Sequence, residues 1–193
     1  MDKTLELYGK LLQMHCFSHS DLEQIIGDTK KADNAIFLLK KQGLIISIRK
    51  NLYTAINLSD KSAAAERFEI ATHVTPSSFI SHHSAFEFYG FANQVFYEVY
   101  VSSSTKFNDF SFEDNNFKFI KSDNDFGIVE IKHVKVTDIE RTILDSIKDF
   151  EKIGGLEETI RCIELVKKVD ENKLKEYLIK YNNQFLFQKS GYL

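Results

Sequence analysis

The chain has 193 residues, of which 43% are hydrophobic and 27% are charged, a composition typical of a soluble globular protein with a buried core. This composition excludes a disordered chain, and there is no run of about 18 apolar residues to predict a transmembrane helix. The net charge of -3 excludes a protein that is basic throughout, but residues 29–54 contain six lysines and arginines against one aspartate.

The first sixty residues predict three helices. Apolar residues at helical spacing in "TLELYGKLLQMHCF" predict a helix that extends to about residue 16. Ser20, followed by Glu23, predicts a capping box at the start of a short second helix. The segment "TKKADNAIFLLKKQG" predicts a third helix that ends at Gly43, because glycine commonly follows the last helical residue.

The third predicted helix has an apolar face and an opposite polar face. The residues expected to face inward are Ala32, Ala35, Ile36 and Leu39. The residues expected on the outer face are Lys30, Asn34, Phe37 and Lys41. Lysines can contact DNA phosphates and an asparagine can contact a base edge, so the outer face is a candidate DNA-binding surface.

A β-hairpin is expected after the third helix. "LIISIR" and "LYTAI" are rich in β-branched and aromatic residues, and a short polar turn at Lys50 and Asn51 separates them. Three helices followed by a hairpin with a basic tip are typical of a winged helix-turn-helix, whose third helix enters the major groove. This domain is predicted to span residues 1–58. Its predicted DNA-binding residues are Lys30, Lys31, Asn34, Lys41, Arg49, Lys50 and Asn51.

Residues 59–193 predict a second, mixed α/β domain, which makes the fold class of the whole chain α+β. Residues 59–76 are expected to form a connector that is helical from about Ser62 to His73 and is stopped by Pro76. "SSFIS" predicts a short strand, and "HSAFEFYG" predicts a helix that is capped near Ser84 and ends at its glycine.

The following segments alternate in the manner of strands. "VFYEVYVSS" predicts one strand, "FSFEDNNFKFI" a hairpin and "FGIVEIKHVKV" another single strand, so we expect a small, mainly antiparallel sheet. "TDIERTILDSI" predicts a helix with a capping box from Thr137 to Glu140, and with Arg141 and Asp145 on its polar side.

Helices are also expected at the C-terminal end. After a Gly-Gly pair at residues 154–155, "LEETIRCIELVKKV" and "DENKLKEYLIKYNN" predict two amphipathic helices. The apolar segment "FLFQKSGYL" then indicates a final helix that a partner or a longer chain would stabilise.

The adjacent His82 and His83, followed by Ser84, raise the question of a metal site or a nucleophile. One metal ion rarely binds two adjacent histidines of a strand, because their side chains point to opposite faces. A zinc site would need two more ligands. His73 and His133 are candidates only if the fold brings them close to the histidine pair. Ser84 lacks the G-x-S-x-G context of a nucleophile elbow. We therefore predict no metal site and expect these residues to cap and orient a helix.

Other catalytic motifs are weak. The motif residues in "DNDFGIVEIK" are Asp123, Asp125, Glu130 and Lys132. They leave a metal-dependent nuclease of the D…ExK type as an alternative, with Glu130 and Lys132 on one face of a strand. A phosphate-binding glycine loop is absent. The isolated Cys16 and Cys162 indicate a reducing cytoplasm. The sequence thus predicts a cytoplasmic protein that is not an enzyme and uses no cofactor.

Five segments, taken in order, resemble the AbiEi-type antitoxins, a family also described as transcriptional regulators of a bacterial abortive-infection system. The segments are "IRKNLYTAIN", "ISHHSAFEFYG", "VFYEVYVSS", "VTDIERTILDSI" and "QFLFQKSGYL". The resemblance implies an N-terminal DNA-binding domain and a C-terminal antitoxin domain. Many family members continue past the "GYL" segment, where this chain departs from the pattern.

The resemblance also implies the partners of the chain. It implies that the chain represses its own operon by binding double-stranded DNA at inverted repeats. A homodimer would match the symmetry of such repeats. The family counters a toxin resembling a nucleotidyltransferase in a type IV system, in which the two proteins need not bind directly. The alternative from the residues is a protein-interaction module, in which the acidic C-terminal half binds a toxin directly.

Overall fold

The computed structural model describes residues 3–191, and its fold class is α+β, as predicted. The described part of the chain contains nine α-helices, one short 3-10 helix and two sheets. The chain divides into two compact units, Met1–Pro76 and Ser77–Leu193. The connector at residues 59–76, which we predicted as part of the second domain, therefore lies in the first unit.

The first unit consists of helices around a three-stranded antiparallel sheet. Its helices are Lys3–Met14 (α1), His19–Ile26 (α2), Thr29–Lys41 (α3) and Arg67–Thr72 (α4). Its strands are Cys16–Ser18 (β1), Ile45–Arg49 (β2) and Leu52–Ala55 (β3). The strand order is β1-β3-β2, so the predicted hairpin of β2 and β3 is present. Strand β1 was not predicted, because its three residues are too few for a periodic pattern.

The start of α2 differs from the prediction. The capping box is formed by Ser18 and Asp21, not by Ser20 and Glu23. The Ser18 backbone N–H donates to Asp21 Oδ2 at 2.7 Å, and the Asp21 backbone N–H donates to Ser18 Oγ at 3.1 Å. The helix starts two residues earlier than predicted because β1 ends at the capping residue Ser18. Helix α1 ends at Met14, before the predicted residue 16, because β1 begins at Cys16.

The core of the first unit is built from all three predicted helices and the sheet. Its buried residues are Tyr8, Leu11, Phe17, Leu22, Ala32, Ile36, Leu39, Leu44, Ile45 and Ala55. The predicted inward face of α3 is thus confirmed, with Ala35 packed at its edge. The helix ends as predicted before Gly43, whose φ of 69° is the left-handed conformation that glycine adopts without strain.

The connector is less helical than predicted. The expected helix from Ser62 to His73 is restricted to α4, which begins at Arg67. The preceding residues form a turn instead, in which the Asn57 backbone N–H donates to the Ser62 carbonyl at 2.9 Å. A bridge between Ile56 and Ala63 extends the sheet region. Alanine content favoured a helix locally, but these contacts and the hydrogen bond from the Ala64 backbone N–H to the Ala55 carbonyl at 2.8 Å hold the segment in a non-helical conformation.

The second unit is built on a six-stranded sheet that is larger than predicted and mixed. Its strands are Phe79–Ile80 (β4), Glu98–Ser103 (β5), Phe110–Phe112 (β6), Asn115–Lys121 (β7), Ile128–Ile131 (β8) and Val134–Thr137 (β9). The order is β6-β7-β5-β4-β9-β8. The β5–β7 and β4–β9 pairs are parallel and the other three pairs are antiparallel. The prediction of a mainly antiparallel sheet missed the two parallel pairs.

One predicted strand is in fact a hairpin. "FGIVEIKHVKV" forms β8 and β9, which pair with each other in antiparallel register. Lys132 and His133 make the turn between them with φ values of 49° and 65°. Two consecutive residues with positive φ are the geometry of a tight type I′ hairpin turn, which usually uses asparagine or glycine. The sequence lacks those residues, so the turn was not predicted.

Five α-helices and the 3-10 helix Phe150–Ile153 pack in the second unit. The α-helices are His82–Tyr89 (α5), Ile139–Lys148 (α6), Leu156–Leu165 (α7), Glu171–Tyr181 (α8) and Gln184–Ser190 (α9). Their shared core contains Phe86, Ile143, Leu144, Ile147, Ile153, Cys162, Tyr177, Leu178 and Leu186. The two predicted amphipathic helices and the final helix are therefore present. Between residues 3 and 191, no helix has the length and apolar character needed to cross a membrane.

Helix α6 corrects two further predictions. Its cap is Asp138, whose carboxylate accepts from the Arg141 backbone N–H at 2.9 Å, and not the predicted box from Thr137 to Glu140. Arg141 and Asp145, predicted on the polar side, are buried, with 1% and 7% of their surface exposed. The polar stripe of this helix faces other parts of the protein.

Candidate functional site

Helix α3 presents the basic surface that the sequence predicted. Lys30, Lys31, Asn34 and Lys41 are all exposed, because the opposite face of the helix is fixed in the core of the first unit. Asp28 caps the helix by accepting a hydrogen bond from the Lys31 backbone N–H at 2.8 Å. The exposed part of α3 is therefore a rigid helical surface and not a mobile loop.

The tip of the hairpin carries the remaining predicted residues. Lys50 and Asn51 form the exposed turn between β2 and β3, and Asn51 has a φ of 61°. Arg49 is half-buried, and this burial lowers the pKa of its guanidinium. Arginine stays charged in proteins, so Arg49 still contributes a positive charge at the base of the turn.

His19, which was not among the predicted site residues, connects the hairpin tip to α3. Its backbone N–H donates to the Asn51 carbonyl at 3.2 Å. Its ring Nε2 lies 2.8 Å from Oδ1 of Asp33, the one acidic residue in the basic window 29–54. One residue thus contacts both predicted DNA-binding elements, the hairpin turn through its backbone and α3 through its ring. Only tertiary structure brings His19 to both partners, so no local signal could identify it.

Lys40 makes a second link that was not predicted. Its Nζ donates to Ser47 Oγ at 2.8 Å, which joins the last turn of α3 to β2. Lys40 is exposed, so this contact sets the direction of a surface charge and does not fill the core. Together, His19 and Lys40 fix the hairpin relative to α3.

Exposed apolar residues interrupt the basic surface. Phe37, predicted on the outer face, is 66% exposed, and its neighbour Leu38 is 49% exposed. Phe37 lies one helical turn after Asn34, so its ring is adjacent to a candidate base-reading side chain. An exposed ring at this position can pack on a thymine methyl group or on a protein partner.

The histidine pair lies in the second unit, at the start of α5. Its helix cap is Ser81 and not the predicted Ser84, whose Oγ instead accepts from the Tyr100 backbone N–H at 2.8 Å. His82 Nε2 lies 3.7 Å from Asp149 Oδ2, whereas His83 Nε2 lies 3.7 Å from Glu158 Oε1. The two rings therefore have different carboxylate neighbours. Both histidines belong to α5 and not to a strand, so the alternation of strand faces that we expected to separate them does not apply.

A polar pocket of about 230 Å³ opens beside His82. Its lining includes His82, Ser102, Lys121, Asp145, Asp149 and Tyr181. The imidazole of His82, together with Lys148 and Lys152, holds the pKa of Asp149 well below its usual range. Burial and the nearby Asp145, which accepts from the Tyr181 hydroxyl at 2.5 Å, raise the pKa of Tyr181. The polar side chains of this pocket thus interact directly with one another.

The nuclease motif does not form a metal site. Lys132 lies in the β8–β9 turn and not on the strand with Glu130, so the predicted common strand face is wrong. Lys121 Nζ lies 2.5 Å from Asp123 Oδ1, so that carboxylate is paired at the surface. Among the described residues, Asp123, Asp125 and Glu130 do not bring ligand atoms together in the way that a metal ion requires.

The ligand atoms that the structure brings to His83 are not those considered from the sequence for the histidine pair. His73 follows α4 in the first unit, and His133 is part of the β8–β9 turn. The structure instead brings Glu158 and Cys162 to His83. Both belong to α7, four residues apart, a spacing that places two side chains on one helical face. That spacing is visible in the sequence, but its meeting with His83 is not.

Relationships to known proteins do not identify the chain. Comparisons with models of known protein families and with curated protein sequences found no significant match. No family membership is therefore assigned, and the resemblance to AbiEi-type antitoxins stays a prediction.

Proposed function

We propose that the chain is a cytoplasmic, sequence-specific DNA-binding repressor that also acts as an antitoxin. The observation that carries the DNA-binding part is the joint fixation of α3 and the β2–β3 turn by His19. Two basic elements held at a fixed separation suit a regular phosphate backbone better than independent surface lysines. The order of three helices and a hairpin supports a winged helix-turn-helix as the DNA-binding domain.

Each predicted residue has a specific role in this proposal. Lys30, Lys31 and Lys41 contact phosphates from α3, and Lys50 does so from the hairpin turn. Asn34 reads a base edge in the major groove, where asparagine can bond both polar atoms of adenine. Arg49 and Asn51 complete the contact of the hairpin with DNA. The proposed DNA-binding residues are therefore Lys30, Lys31, Asn34, Lys41, Arg49, Lys50 and Asn51.

The test is binding to the DNA upstream of the chain's own gene. Fluorescence anisotropy should show salt-sensitive binding, and the combined Lys30→Ala, Lys41→Ala and Arg49→Ala variant should bind at least tenfold more weakly. Lys10→Ala is a matched control, since this lysine of α1 is 57% exposed and lies outside the proposed surface. An unchanged affinity in the triple variant would refute this DNA-binding surface.

The antitoxin part of the proposal is supported by the order of the five sequence segments. The proposed partner is a nucleotidyltransferase-like toxin, which the chain counters without catalysis and without a membrane. Expression of the toxin from a neighbouring gene should arrest growth, and co-expression of this chain should relieve the arrest. The triple variant of α3 and Arg49 should still relieve it, because the antitoxin role is assigned to the second unit. Persistent arrest with the wild-type chain would reject this part.

A second candidate function is a protein-interaction module. It is favoured by exposed apolar side chains on the C-terminal helices, where Ile179 is 70%, Phe185 76% and Phe187 45% exposed. Large apolar side chains that are exposed in the isolated chain can become buried in contact with a partner. Co-purification with the neighbouring gene product would support direct binding, and Phe185→Ser should then weaken it. Growth rescue without co-purification would instead favour the indirect mechanism.

A further inference from the structure

Three side chains of different chemistry meet inside the second unit. His83, Glu158 and Cys162 are buried, with 0%, 5% and 0% of their surface exposed. The Nε2 atom of His83 lies 3.7 Å from Glu158 Oε1, and Cys162 Sγ lies 3.5 Å from the same oxygen. Their ligand atoms all lie within 4.8 Å of one another. A carboxylate is rarely buried to this extent without a charged partner or a metal ion.

The separations suit a tetrahedral metal ion. Zinc binds histidine nitrogen and carboxylate oxygen at about 2.0–2.2 Å and thiolate sulfur at about 2.3 Å, so neighbouring ligand atoms lie roughly 3.3–3.6 Å apart. The two measured separations of 3.7 Å and 3.5 Å are close to that range. Small side-chain movements would bring the three atoms to one centre, because each side chain already points to the same volume.

The surroundings of the cluster also resemble those of a metal site. Ligating histidines usually donate their other ring nitrogen to a carboxylate, and here Glu87 Oε2 lies 3.9 Å from His83 Nδ1. Ligating carboxylates are in turn hydrogen-bonded, and Asn93 donates to Glu158 from its backbone at 3.2 Å and from its side chain at 3.3 Å. Asn93 is exposed, so the carboxylate end of the cluster lies near the surface, where an ion can reach it.

The orientation of the His83 ring is fixed by packing. Phe96 stacks on it with a centroid separation of 3.7 Å and an angle of 7° between the planes. Behind Phe96 lies Gly154, where an added Cβ would come within 2.8 Å of the phenylalanine ring. Two layers of close packing therefore hold the imidazole in the plane that directs Nε2 to Glu158.

We propose that His83 Nε2, Glu158 Oε1 and Cys162 Sγ bind one Zn²⁺ ion. A mixed nitrogen, oxygen and sulfur donor set selects zinc over magnesium or calcium, which prefer oxygen alone. The fourth position is taken by water. Binding converts the Cys162 thiol to a thiolate and releases its proton to solvent, since the thiolate is the ligand. The ion ties α5 to α7 and stabilises the core of the second unit.

The competing explanation is a buried ion-pair network without metal. In that arrangement a protonated His83 would lie between Glu87 and Glu158, and the Cys162 thiol would keep its proton and donate it in a hydrogen bond to Glu158 Oε1. The two explanations differ in the role of sulfur, because only the metal site requires a thiolate. A measurement that reports on sulfur coordination therefore separates them.

The experiment uses the full chain, stripped with a chelator and titrated with Co²⁺ as a spectroscopic substitute for Zn²⁺. We expect a 1:1 endpoint with a thiolate-to-cobalt charge-transfer band and the visible absorption of tetrahedral cobalt. Added Zn²⁺ should remove both signals. A free Zn²⁺ concentration of about one hundred times the Kd should raise the Tm by about 5–10 °C, because the ion binds the folded state and not the unfolded state.

Two cysteine variants provide the matched comparison. Cys162→Ser should lose the charge-transfer band, whereas Cys16→Ser should keep it, since Cys16 is the other buried free cysteine and lies in the first unit. His83→Gln and Glu158→Gln should lower cobalt affinity at least tenfold. The wild-type titration distinguishes the zinc site from the ion-pair network even if a variant fails to fold. Absence of both the charge-transfer band and the Tm increase in the wild-type chain would overturn the zinc site in favour of the ion-pair network.

Discussion

Arg141 is enclosed in the second unit with its Nε 3.4 Å from Oδ2 of Asp145. Its guanidinium also donates to the Phe126 carbonyl and, at 3.0 Å, to Ser122 Oγ. The rings of Phe79 and Phe126 lie 4.8 Å and 5.1 Å from the guanidinium carbon. One side chain of α6 therefore holds the segment between β7 and β8 and contacts β4. A buried charge with this many partners makes a specific prediction about stability.

Arg141→Met is expected to lower the free energy of unfolding by about 3–5 kcal/mol. The methionine can fill part of the volume, but it leaves Asp145 buried without its cation and Phe126 without its donor. Urea unfolding followed by circular dichroism measures the change. The matched control is Arg161→Met on α7, whose side chain is 52% exposed and pairs with Glu157. An exposed pair of this kind contributes less than about 1 kcal/mol, so equal effects in the two variants would contradict the structural role of Arg141.

Arg141 also illustrates which parts of the fold the sequence could not predict. Helix α6 was predicted because its apolar residues repeat at local helical spacing. The burial of Arg141 depends on Phe79, Ser122 and Phe126, which lie elsewhere in the chain and have no periodic relation to it. The same reason applies to the sheet, since the two parallel pairs β5–β7 and β4–β9 join strands that are not consecutive. Local patterns predicted most of the elements, but not these pairings.

The candidate DNA-binding surface also contains residues that the sequence could predict and residues that it could not. Lys30, Asn34 and Lys41 were predicted because a single helix fixes their angular relation. His19 and Lys40 act across elements, so their contacts with Asn51, Asp33 and Ser47 followed only from the structure. The sequence could predict which side chains are exposed, but not which residues hold them in position.

Gly127 is expected to tolerate no side chain. It has a φ of 62°, and an added Cβ would lie 2.9 Å from the Tyr177 ring and 3.0 Å from Arg141 Cβ. Gly90 has a φ of 76° but nothing within 4 Å of an added Cβ, so it isolates the backbone effect. Gly90→Ala should destabilise by about 1–2 kcal/mol, and Gly127→Ala by about 1–3 kcal/mol more. Equal urea midpoints for the two variants would show that the close contacts at Gly127 add no destabilisation beyond the backbone effect.

The lowered pKa of Asp149 predicts that the free energy of unfolding depends on pH. The His82 imidazole, with Lys148 and Lys152, keeps the pKa of Asp149 well below its usual range, so its ionised form stabilises the folded state. This stabilisation is complete above the unfolded pKa of about 4 and is lost as the pH falls further. Asp149→Asn should therefore be less stable than wild type at pH 7, and the difference should shrink below pH 4.

Urea unfolding at a series of pH values from 7 to about 2.5 measures this convergence. His82→Ala removes the first cause of the lowered pKa but retains the two lysines, so its loss of stability with acid should be intermediate. If the Asp149→Asn and wild-type stabilities stayed equally far apart throughout this range, the ionised carboxylate would not be the stabilising species.

The salt dependence of DNA binding distinguishes the roles proposed for two residues of α3. Lys41 is assigned to a phosphate, so Lys41→Gln should lower the slope of log Kd against log salt by about one and weaken binding to all DNA sequences similarly. Asn34 is assigned to a base edge and carries no charge. Asn34→Ala should therefore leave the slope unchanged and reduce the preference for the specific site over random DNA by about 1–3 kcal/mol.

Anisotropy titrations at several salt concentrations, on the specific site and on a scrambled duplex, measure both quantities. Lys10→Gln on α1 should match the wild type in slope and in preference, because it tests the loss of one exposed lysine away from the surface. An altered slope in Asn34→Ala, or an unaltered slope in Lys41→Gln, would mean that α3 does not lie on the DNA in the proposed orientation. A large effect of Lys10→Gln would instead locate the DNA contact on α1.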